Sequence, residues 1–276
     1  MKYETRPIND KMNDKTSFGT LLRSARHNDY TSVNEYHWRP IFELQASNAL
    51  AVWREYHQNR VWFEDKEAII NKFIGLHKCN SYLEVGGQPF AGKRSTYHKV
   101  RCENKDSVNT DPTVEFEYEL PDGSNHYVMT SDEFFKKIKD TKKLYDIVFI
   151  DAWHEHEQVL RDINNCLAHL SDNGTILLHD MIPLTRDLEK DPHRTGCCWR
   201  AFADLRATRE DLDMSVLVPP WGSEDSLGII RKGQQQLFDK KLEYNFDFFL
   251  DNIEDLMNLI DLDTFYKKYI DSLVSE

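Results

Sequence analysis

The chain has 276 residues, of which 40% are hydrophobic and 12% aromatic, so it can bury the core of one large domain or two small ones. Its formal net charge of −12 argues against nucleic acid as a partner, because binding a phosphate backbone requires a basic surface. No run approaches the roughly 18 apolar residues of a membrane-spanning helix, so we expect no membrane span.

The N-terminal residues and the cysteines indicate a cytoplasmic protein. The opening segment, "MKYETRPINDKMNDKTS", has no apolar core, which argues against a secretory signal. The five cysteines are an odd number, and no two have C-x-x-C spacing, which is typical of reduced thiols. The adjacent Cys197 and Cys198 could form a redox or metal site, but two small residues near a helix start are the simpler interpretation.

The first part of the chain is predicted to be an arm followed by helices. Residues 1–40 are polar and poorly patterned, which predicts an extended or partly ordered arm. From Ile41 to about Leu76, apolar residues recur at steps of three and four, as in helices that pack beside a sheet. We expect these helices to begin a larger domain that extends over residues 41–233.

The middle of the chain alternates strands with helices. The predicted strands are short β-rich or continuously apolar runs, at 81–87, 107–113, 127–129, 145–151 and 175–180. Helical spacing follows the third strand at 131–138 and the fourth at 159–170, and "SDNG" (171–174) reads as a helix stop and turn. This order favours an α/β fold with a doubly wound, mostly parallel sheet.

The last part of the chain has a different pattern. Residues 214–233 read as two strands around a long turned loop, which predicts an antiparallel hairpin at the edge of the sheet. Residues 234–276 are predicted to be a helical extension, because apolar residues from Phe246 onward share one helical face. That face would cap the core or meet a second copy of the chain, giving a homo-oligomer.

Polar residues end the predicted strands, and they should be considered together. In an open α/β sheet, ligands bind outside the carboxyl ends of the strands. The residues at these ends are Glu84 with Gly86 and Gly87, Asp111, Ser131 with Asp132, Asp151 with His154, and His179 with Asp180. Each could singly be a helix cap or a turn residue, but all fall at the same end of a predicted strand. The sequence therefore predicts a site at this edge.

This arrangement suits an adenosine cofactor. Glycines after the first strand allow close approach to the backbone, and a carboxylate after the second can accept two hydrogen bonds from a ribose diol. The segment "GGQPFAGKRS" (86–95) lacks both the G-x-G-x-x-G fingerprint and the G-K-[ST] of a P-loop. A nucleotide-linked dehydrogenase is therefore disfavoured.

Five motifs resemble those of the class I S-adenosylmethionine-dependent methyltransferases, and in particular a bacterial group that modifies small molecules and glycans. They are "YLEVG" (82–86), "NTDP" (109–112), "SDEFF" (131–135), "FIDAWHEHEQVLRDI" (149–163) and "NGTILLHDMIP" (173–183). The last two are the specific ones. The similarity continues through "CWRAFADLR" (198–206) and "LGIIRKG" (227–233).

The resemblance implies a Rossmann-like sheet of seven strands and a role for each strand end. Glu84, Gly86 and Gly87 would border the methionine part of S-adenosylmethionine, and Asp111 would hold its ribose. Ser131 and Asp132 would flank the adenine. Asp151 would lie between cofactor and acceptor, and His154 would lie near the reacting centre.

Related sugar and small-molecule O-methyltransferases use a divalent ion held by carboxylates at strand ends. Asp151, His179 and Asp180 resemble such a set. Oxygen ligands would favour Mg²⁺, while an imidazole would tolerate manganese or zinc. Alternatively, His179 and Asp180 only terminate the fifth strand.

The resemblance also implies a mechanism. A hydroxyl acceptor must lose its proton, and histidine is the natural base near neutral pH. His154 is the first choice for the base and His179 the second, with Asp151 orienting the base or binding a metal. Flat indole faces suit sugar rings, so Trp153, Trp199 and Trp221 are candidates for the acceptor pocket. The expected acceptor is a sugar, glycan or small natural product.

Three departures from the family pattern leave an alternative open. Ala152, followed by Trp153, replaces the usual glycine after the fourth strand, and the loop "GGQPFAGK" (86–93) is unusually bulky and lacks the regular G-x-G. The stretch from Arg101 to Val108 is also lengthened. A catalytically degenerate binding protein on the same fold therefore remains an alternative to an enzyme.

Overall fold

The structure is a computed structural model that describes residues 66–87, 95–110, 120, 123–183, 185–218 and 226–270. The predicted N-terminal arm (1–40) and most of the predicted N-terminal helices lie outside these residues. So do Asp111, Trp221 and the bulk of the glycine-containing loop.

The described chain forms one sheet of eight strands, in the order β3-β2-β1-β4-β5-β7-β6-β8. The strands are β1 (Ser81–Val85), β2 (Asn104–Asn109), β3 (Ser124–Val128), β4 (Tyr145–Ile150), β5 (Leu170–Leu178), β6 (Leu212–Leu217), β7 (Leu227–Lys232) and β8 (Leu259–Ile260). Strand β7 runs antiparallel to β5 and β6, and the other pairs are parallel. The predicted doubly wound α/β sheet is therefore confirmed. The sequence predicts seven strands, one fewer than the structure has, because the two-residue β8 adds a further strand by pairing with β6 outside the hairpin.

Helices cover both faces of this sheet. They are α1 (Lys66–His77), α2 (Thr96–Lys99), α3 (Ser131–Ile138), α4 (His156–Ala168), α5 (Arg186–Lys190), α6 (Cys198–Thr208), α7 (Phe246–Met257) and α8 (Leu262–Phe265), and a π-helical turn follows at Tyr266–Ile270. In β4, Val148 and Ile150 pack into one buried cluster, while Ile147 and Phe149 pack into the other. This two-sided burial explains why the strand reads as an almost continuous apolar run.

Two local predictions need correction. The predicted turn "SDNG" (171–174) lies within β5, where Ser171 donates a 2.8 Å hydrogen bond to Asp146 Oδ1 and a register irregularity accommodates the pairing. Helix α3 begins where expected, but its N-cap is Thr130 and neither Ser131 nor Asp132. Thr130 and Glu133 form a reciprocal capping box, which leaves the Ser131 side chain available to other partners.

The apolar face of the C-terminal extension packs inside the same subunit. Six residues of α7 are buried, namely Phe246, Phe249, Leu250, Ile253, Leu256 and Met257. All six belong to the core cluster that contains the inward face of β6. The helix therefore caps the core. Because its apolar face is already buried, this face does not support the predicted homo-oligomer, which stays a prediction. Within the described residues, the helices are all too short or too polar to cross a membrane.

Candidate functional site

A cavity of about 680 Å³ opens at the carboxyl ends of β1, β2 and β4. Four of the predicted site residues line it, namely Gly86, Ser131, Asp132 and Asp151. The pairing of β1 with both β2 and β4 marks the point at which the strand order reverses, which is where ligands bind in open α/β sheets. Four of the residues predicted for the site therefore lie around one cavity, and their roles stay predictions.

Gly86 brings the end of β1 against the end of β4. Its φ is +90°, and its N–H donates a 2.8 Å hydrogen bond to Val108 O. A Cβ at this position would lie 1.9 Å from the Asp151 carbonyl oxygen. Only glycine fits this approach, which fixes Asp151 at the rim of the pocket.

Glu84 lies beneath the pocket and does not line it. The carboxyl is buried and accepts a 2.6 Å hydrogen bond from Tyr82 OH. Burial raises the pKa of Glu84 to about 7, with Asp151 acting in the same direction and the Tyr82 hydrogen bond opposing it. A Cβ on Gly87 would come within 3.1 Å of the Glu84 side chain, so this glycine packs directly on it.

The free energy of unfolding should fall as the buried Glu84 ionises. Because its folded pKa of about 7 exceeds the ordinary glutamate value of 4.5, the native state keeps a proton that the unfolded state releases between these two pH values. Stability contributed by the protonated form is therefore lost as pH rises through this window, by roughly 3 kcal/mol. We expect urea unfolding from about pH 5 to pH 8 to show this decline in the wild type and a flatter profile in Glu84→Gln. Parallel pH profiles for the two proteins would contradict the expectation.

Two carboxylates and two imidazoles converge beside the pocket. Asp151 Oδ1 lies 3.6 Å from His154 Nε2 and 3.6 Å from His179 Nδ1. Asp180 Oδ2 lies 3.6 Å from His154 Nε2 and 3.0 Å from His179 Nδ1. The strand-end residues that the sequence singled out after β4 and β5 therefore do form one cluster.

Lys66 is a member of this cluster that the sequence analysis missed. Its Nζ lies 3.2 Å from His179 Nε2 and 3.6 Å from Asp151 Oδ2. The residue opens α1, fifteen positions before β1 begins. Nothing in the sequence marks it, because the packing of α1 against the sheet is a tertiary contact.

The partners of the two imidazoles assign their protons differently. An ammonium can only donate, so His179 accepts from Lys66 at Nε2 and a neutral ring carries its proton on Nδ1. A carbonyl can only accept, so His154 donates from Nδ1 to Arg194 O. In its neutral form His154 therefore presents a lone pair on Nε2 toward Asp151 and Asp180.

A loop before α6 holds His154 in this orientation. Gly196 has a φ of +56°, and a Cβ there would lie 2.3 Å from the His154 carbonyl oxygen. The same carbonyl accepts a 3.0 Å hydrogen bond from Cys197 N. Asp180 adopts a φ of +57°, unusual for a residue other than glycine, and such strain is often found at functional sites.

The cluster shifts the proton affinities of its members. Burial alone would raise the pKa of Asp151, but contacts with His154, His179 and Lys66 hold it below its ordinary value. Burial acts to lower the pKa of His154, but the Asp151 and Asp180 carboxylates and the Arg194 carbonyl raise it above its usual value. The cluster therefore favours ionised carboxylates around a basic imidazole.

The three tryptophans predicted for the acceptor pocket have different positions. Trp153 lines the pocket, is 42% exposed and makes an edge-on contact with the His193 ring at 5.1 Å between centroids. Trp199 is fully buried and donates a 3.1 Å hydrogen bond to Glu189, so its prediction was wrong. Its helical position on α6 places it in the core. Trp221 lies outside the described residues.

Two polar residues of α4 line the pocket and were missed by the sequence analysis. Gln158 donates a 3.2 Å hydrogen bond to Ser131 Oγ and a 3.0 Å hydrogen bond to Asp162 Oδ1. Asp162 is 1% exposed, which is unusual for a carboxylate. Their spacing of four residues, on the same face as the buried Val159 and Ile163, was the signal that could have identified them.

A family model described as "Methyltransferase domain" matches residues 16–181 of the chain. The match extends over more than half of the sequence and includes the segments that form β1 through β5. A search of curated proteins found no match.

Solved structures give distant structural matches. An O-methyltransferase from Bacillus cereus in complex with SAH is 11% identical, with a TM-score of 0.46 over 78% of this chain and 100% of that chain. The O-methyltransferase TomG from Streptomyces achromogenes, in complex with SAM, is 11% identical, with a TM-score of 0.44 over 67% of this chain and 89% of that chain. The SAH-bound methyltransferase PaMTH1 from Podospora anserina is 16% identical, with a TM-score of 0.46 over 75% of this chain and 99% of that chain.

Proposed function

Because the chain belongs to the methyltransferase domain family, we propose that it transfers a methyl group from S-adenosylmethionine to a hydroxyl group of a sugar, glycan or other small molecule. The predicted family, the class I S-adenosylmethionine-dependent methyltransferases, is confirmed, and so is the predicted α/β fold. The hydroxyl acceptor, the catalytic base and any metal are parts of the proposal.

One observation carries the proposal: Asp151 belongs both to the cofactor-sized pocket and to the cluster that contains His154. A group that accepts protons therefore lies beside the place where the cofactor would bind. When bound, S-adenosylmethionine supplies an electrophilic methyl group on a sulfonium. Displacement at that carbon is in line, so the protein must align the acceptor and exclude water.

His154 is the base in this proposal. Its Nε2 lone pair can accept the hydroxyl proton, while the hydrogen bond from Nδ1 to Arg194 O holds the ring in the required tautomer. The Asp151 and Asp180 carboxylates, each 3.6 Å from Nε2, would stabilise the imidazolium that forms. His179, the second choice, already accepts at Nε2 from Lys66, which makes it the weaker candidate.

The cofactor would lie along the rim from Gly86 to Ser131. Gly86 would border its methionine part, with Glu84 and Gly87 supporting that wall from below. Ser131 and Asp132 line the pocket at the start of α3 and would flank the adenine. Asp111 is proposed for the ribose from its sequence position alone.

The second candidate role for this cluster is to bind a divalent cation, which would be coordinated by the same Nε2 lone pair of His154. Ligand atoms of Asp151, His154 and Asp180 all lie within 4.8 Å of one another. Cation–oxygen and cation–nitrogen bonds of ~2.1 Å would need only a small inward movement of these side chains. Two carboxylates suit Mg²⁺, and the imidazole would admit manganese or zinc. The proton on His179 Nδ1 favours His154 as the third ligand over His179, the ligand that the sequence predicts.

Binding of S-adenosylhomocysteine should stabilise the protein whether or not a metal is present. At about 100 times its dissociation constant, the ligand should add roughly 2.7 kcal/mol to the free energy of unfolding. Thermal unfolding and calorimetric titration, in EDTA and then with Mg²⁺ or Mn²⁺ added, measure this directly. Adenosine diphosphate, whose phosphates would face the ionised Asp151 carboxylate in the pocket, is a matched control and should bind far more weakly.

Turnover assays in EDTA and with added metal separate the alternatives. Turnover in EDTA that added metal leaves unchanged supports His154 as the base. Metal-dependent turnover that is lost in Asp180→Asn supports the cation. Binding without turnover on any hydroxyl acceptor would favour the degenerate binding protein, and no binding at millimolar ligand would overturn the proposed function.

A further inference from the structure

We propose that Asp162 is the residue that selects adenine over other purines in the cofactor, by accepting a hydrogen bond from its exocyclic amine. The inference rests on the proposed function and adds a specificity-determining residue to it. Asp162 lies on α4, within the motif at 149–163, and the resemblance gave it no role.

Asp162 presents a buried acceptor to the pocket. Asp162 is among the residues that line the cavity, although it is only 1% exposed. Oδ1 accepts a 3.0 Å hydrogen bond from Gln158 Nε2. Oδ2 is buried and makes no hydrogen bond of normal geometry within the described parts of the chain, although the Ser131 hydroxyl is close enough to act on the carboxyl. Buried carboxylate oxygens are normally satisfied, so an exception at a cavity wall indicates that a ligand donor completes the site.

The nearby Asp132 is less suited to this role. Its side chain is 51% exposed, and its Oδ2 lies 3.6 Å from Arg161 Nε. Water and the guanidinium therefore compete for its oxygens. An acceptor in water loses little when a ligand lacks the matching donor, whereas a buried acceptor loses its only partner. Base selection is therefore expected from Asp162 and not from Asp132.

The charge of Asp162 supports the assignment. Burial raises the pKa of the Asp162 carboxyl to about 6, although Ser131 and Gln158 act in the opposite direction. The group is thus mainly ionised at neutral pH and can only accept. Adenine offers an amine donor at its six position, but hypoxanthine offers an oxygen there, which the carboxylate would repel. Gln158 fixes the carboxylate by its bond to Oδ1, and its own position is fixed by Ser131.

A purely structural role would have a different signature. In that case Asp162 would join α3 to α4 through Gln158 and Ser131, and its replacement would lower stability without changing the preference for a base. Asparagine has nearly the same shape and can donate to an oxygen, so Asp162→Asn separates the two roles. Glu157→Gln is the matched control, because it removes a carboxylate charge from an exposed residue of the same helix that does not line the pocket.

The test is calorimetric binding of S-adenosylhomocysteine and of S-inosylhomocysteine, in which an oxygen replaces the amine. We expect the wild type and Glu157→Gln to prefer the adenine compound by at least ~10²-fold, and Asp162→Asn to reduce this ratio at least tenfold. A wild-type ratio near one, or an unchanged ratio in Asp162→Asn, would overturn the inference and leave the proposed function intact. A wild-type ratio near one overturns the inference even if the variant does not fold. Failure of the wild type to bind either compound would overturn both.

Discussion

Replacing His154 with alanine is expected to lower turnover by roughly 10²–10⁴-fold, the usual contribution of a positioned acid or base. The dissociation constant for S-adenosylhomocysteine should change less than about twofold, because the His154 ring does not line the pocket. If turnover falls while the dissociation constant is unchanged, then the interaction that His154 makes stabilises the transition state and does not contribute to cofactor binding. Turnover and calorimetric affinity, measured on the same preparation, give both quantities.

His156→Ala is the matched control for this experiment. His156 lies two residues further along, at the start of α4, and its Nε2 is 2.7 Å from Asp204 Oδ2, away from the pocket-lining residues. It should keep nearly full turnover. If His154→Ala instead loses cofactor affinity, then His154 has been given the wrong role. If raised Mn²⁺ restores much of its turnover, then the imidazole is a metal ligand and not the base.

Strand content and strand ends could be predicted from the sequence because both depend on local pattern. The run from Tyr145 to Ile150 is apolar on both faces of the sheet, and a parallel strand buried on both sides requires that pattern. Parallel strands also end at one edge, so Asp151 and His179 could be expected to meet before their distance was known.

The contacts that tune the site could not be predicted in the same way. Lys66 reaches His179 from a helix 113 residues earlier, and Arg194 reaches His154 from a loop 40 residues later. Each contact depends on how separate elements pack, and a lone lysine or a loop carbonyl carries no pattern. Local propensity misled at 171–174, where turn-forming residues are held in a strand by pairing with β4.

The absence of a side chain at position 86 is what lets β1 and β4 form the pocket floor, so Gly86→Ala is expected to have a large effect. The alanine Cβ would lie 1.9 Å from the Asp151 carbonyl oxygen, and a φ of +90° is strained for any residue with a Cβ. Strain and displacement together should lower the free energy of unfolding by about 3 kcal/mol or more. S-adenosylhomocysteine affinity should fall at least tenfold, because Asp151 must move. Denaturant unfolding and calorimetry measure the two effects.

Gly75→Ala is the control that distinguishes an effect of the position of Gly86 from the general effect of replacing a glycine with alanine. Gly75 is exposed on α1, and a Cβ there would meet nothing within 4 Å, so alanine should raise stability by roughly 0.5–1 kcal/mol. If the free energy of unfolding falls in Gly86→Ala and rises in Gly75→Ala, then the effect at Gly86 comes from its contact with Asp151 and not from replacing a glycine as such. An equally mild effect at both would mean that the ends of β1 and β4 can separate. The close packing of these two ends would then not be what fixes Asp151 beside the pocket.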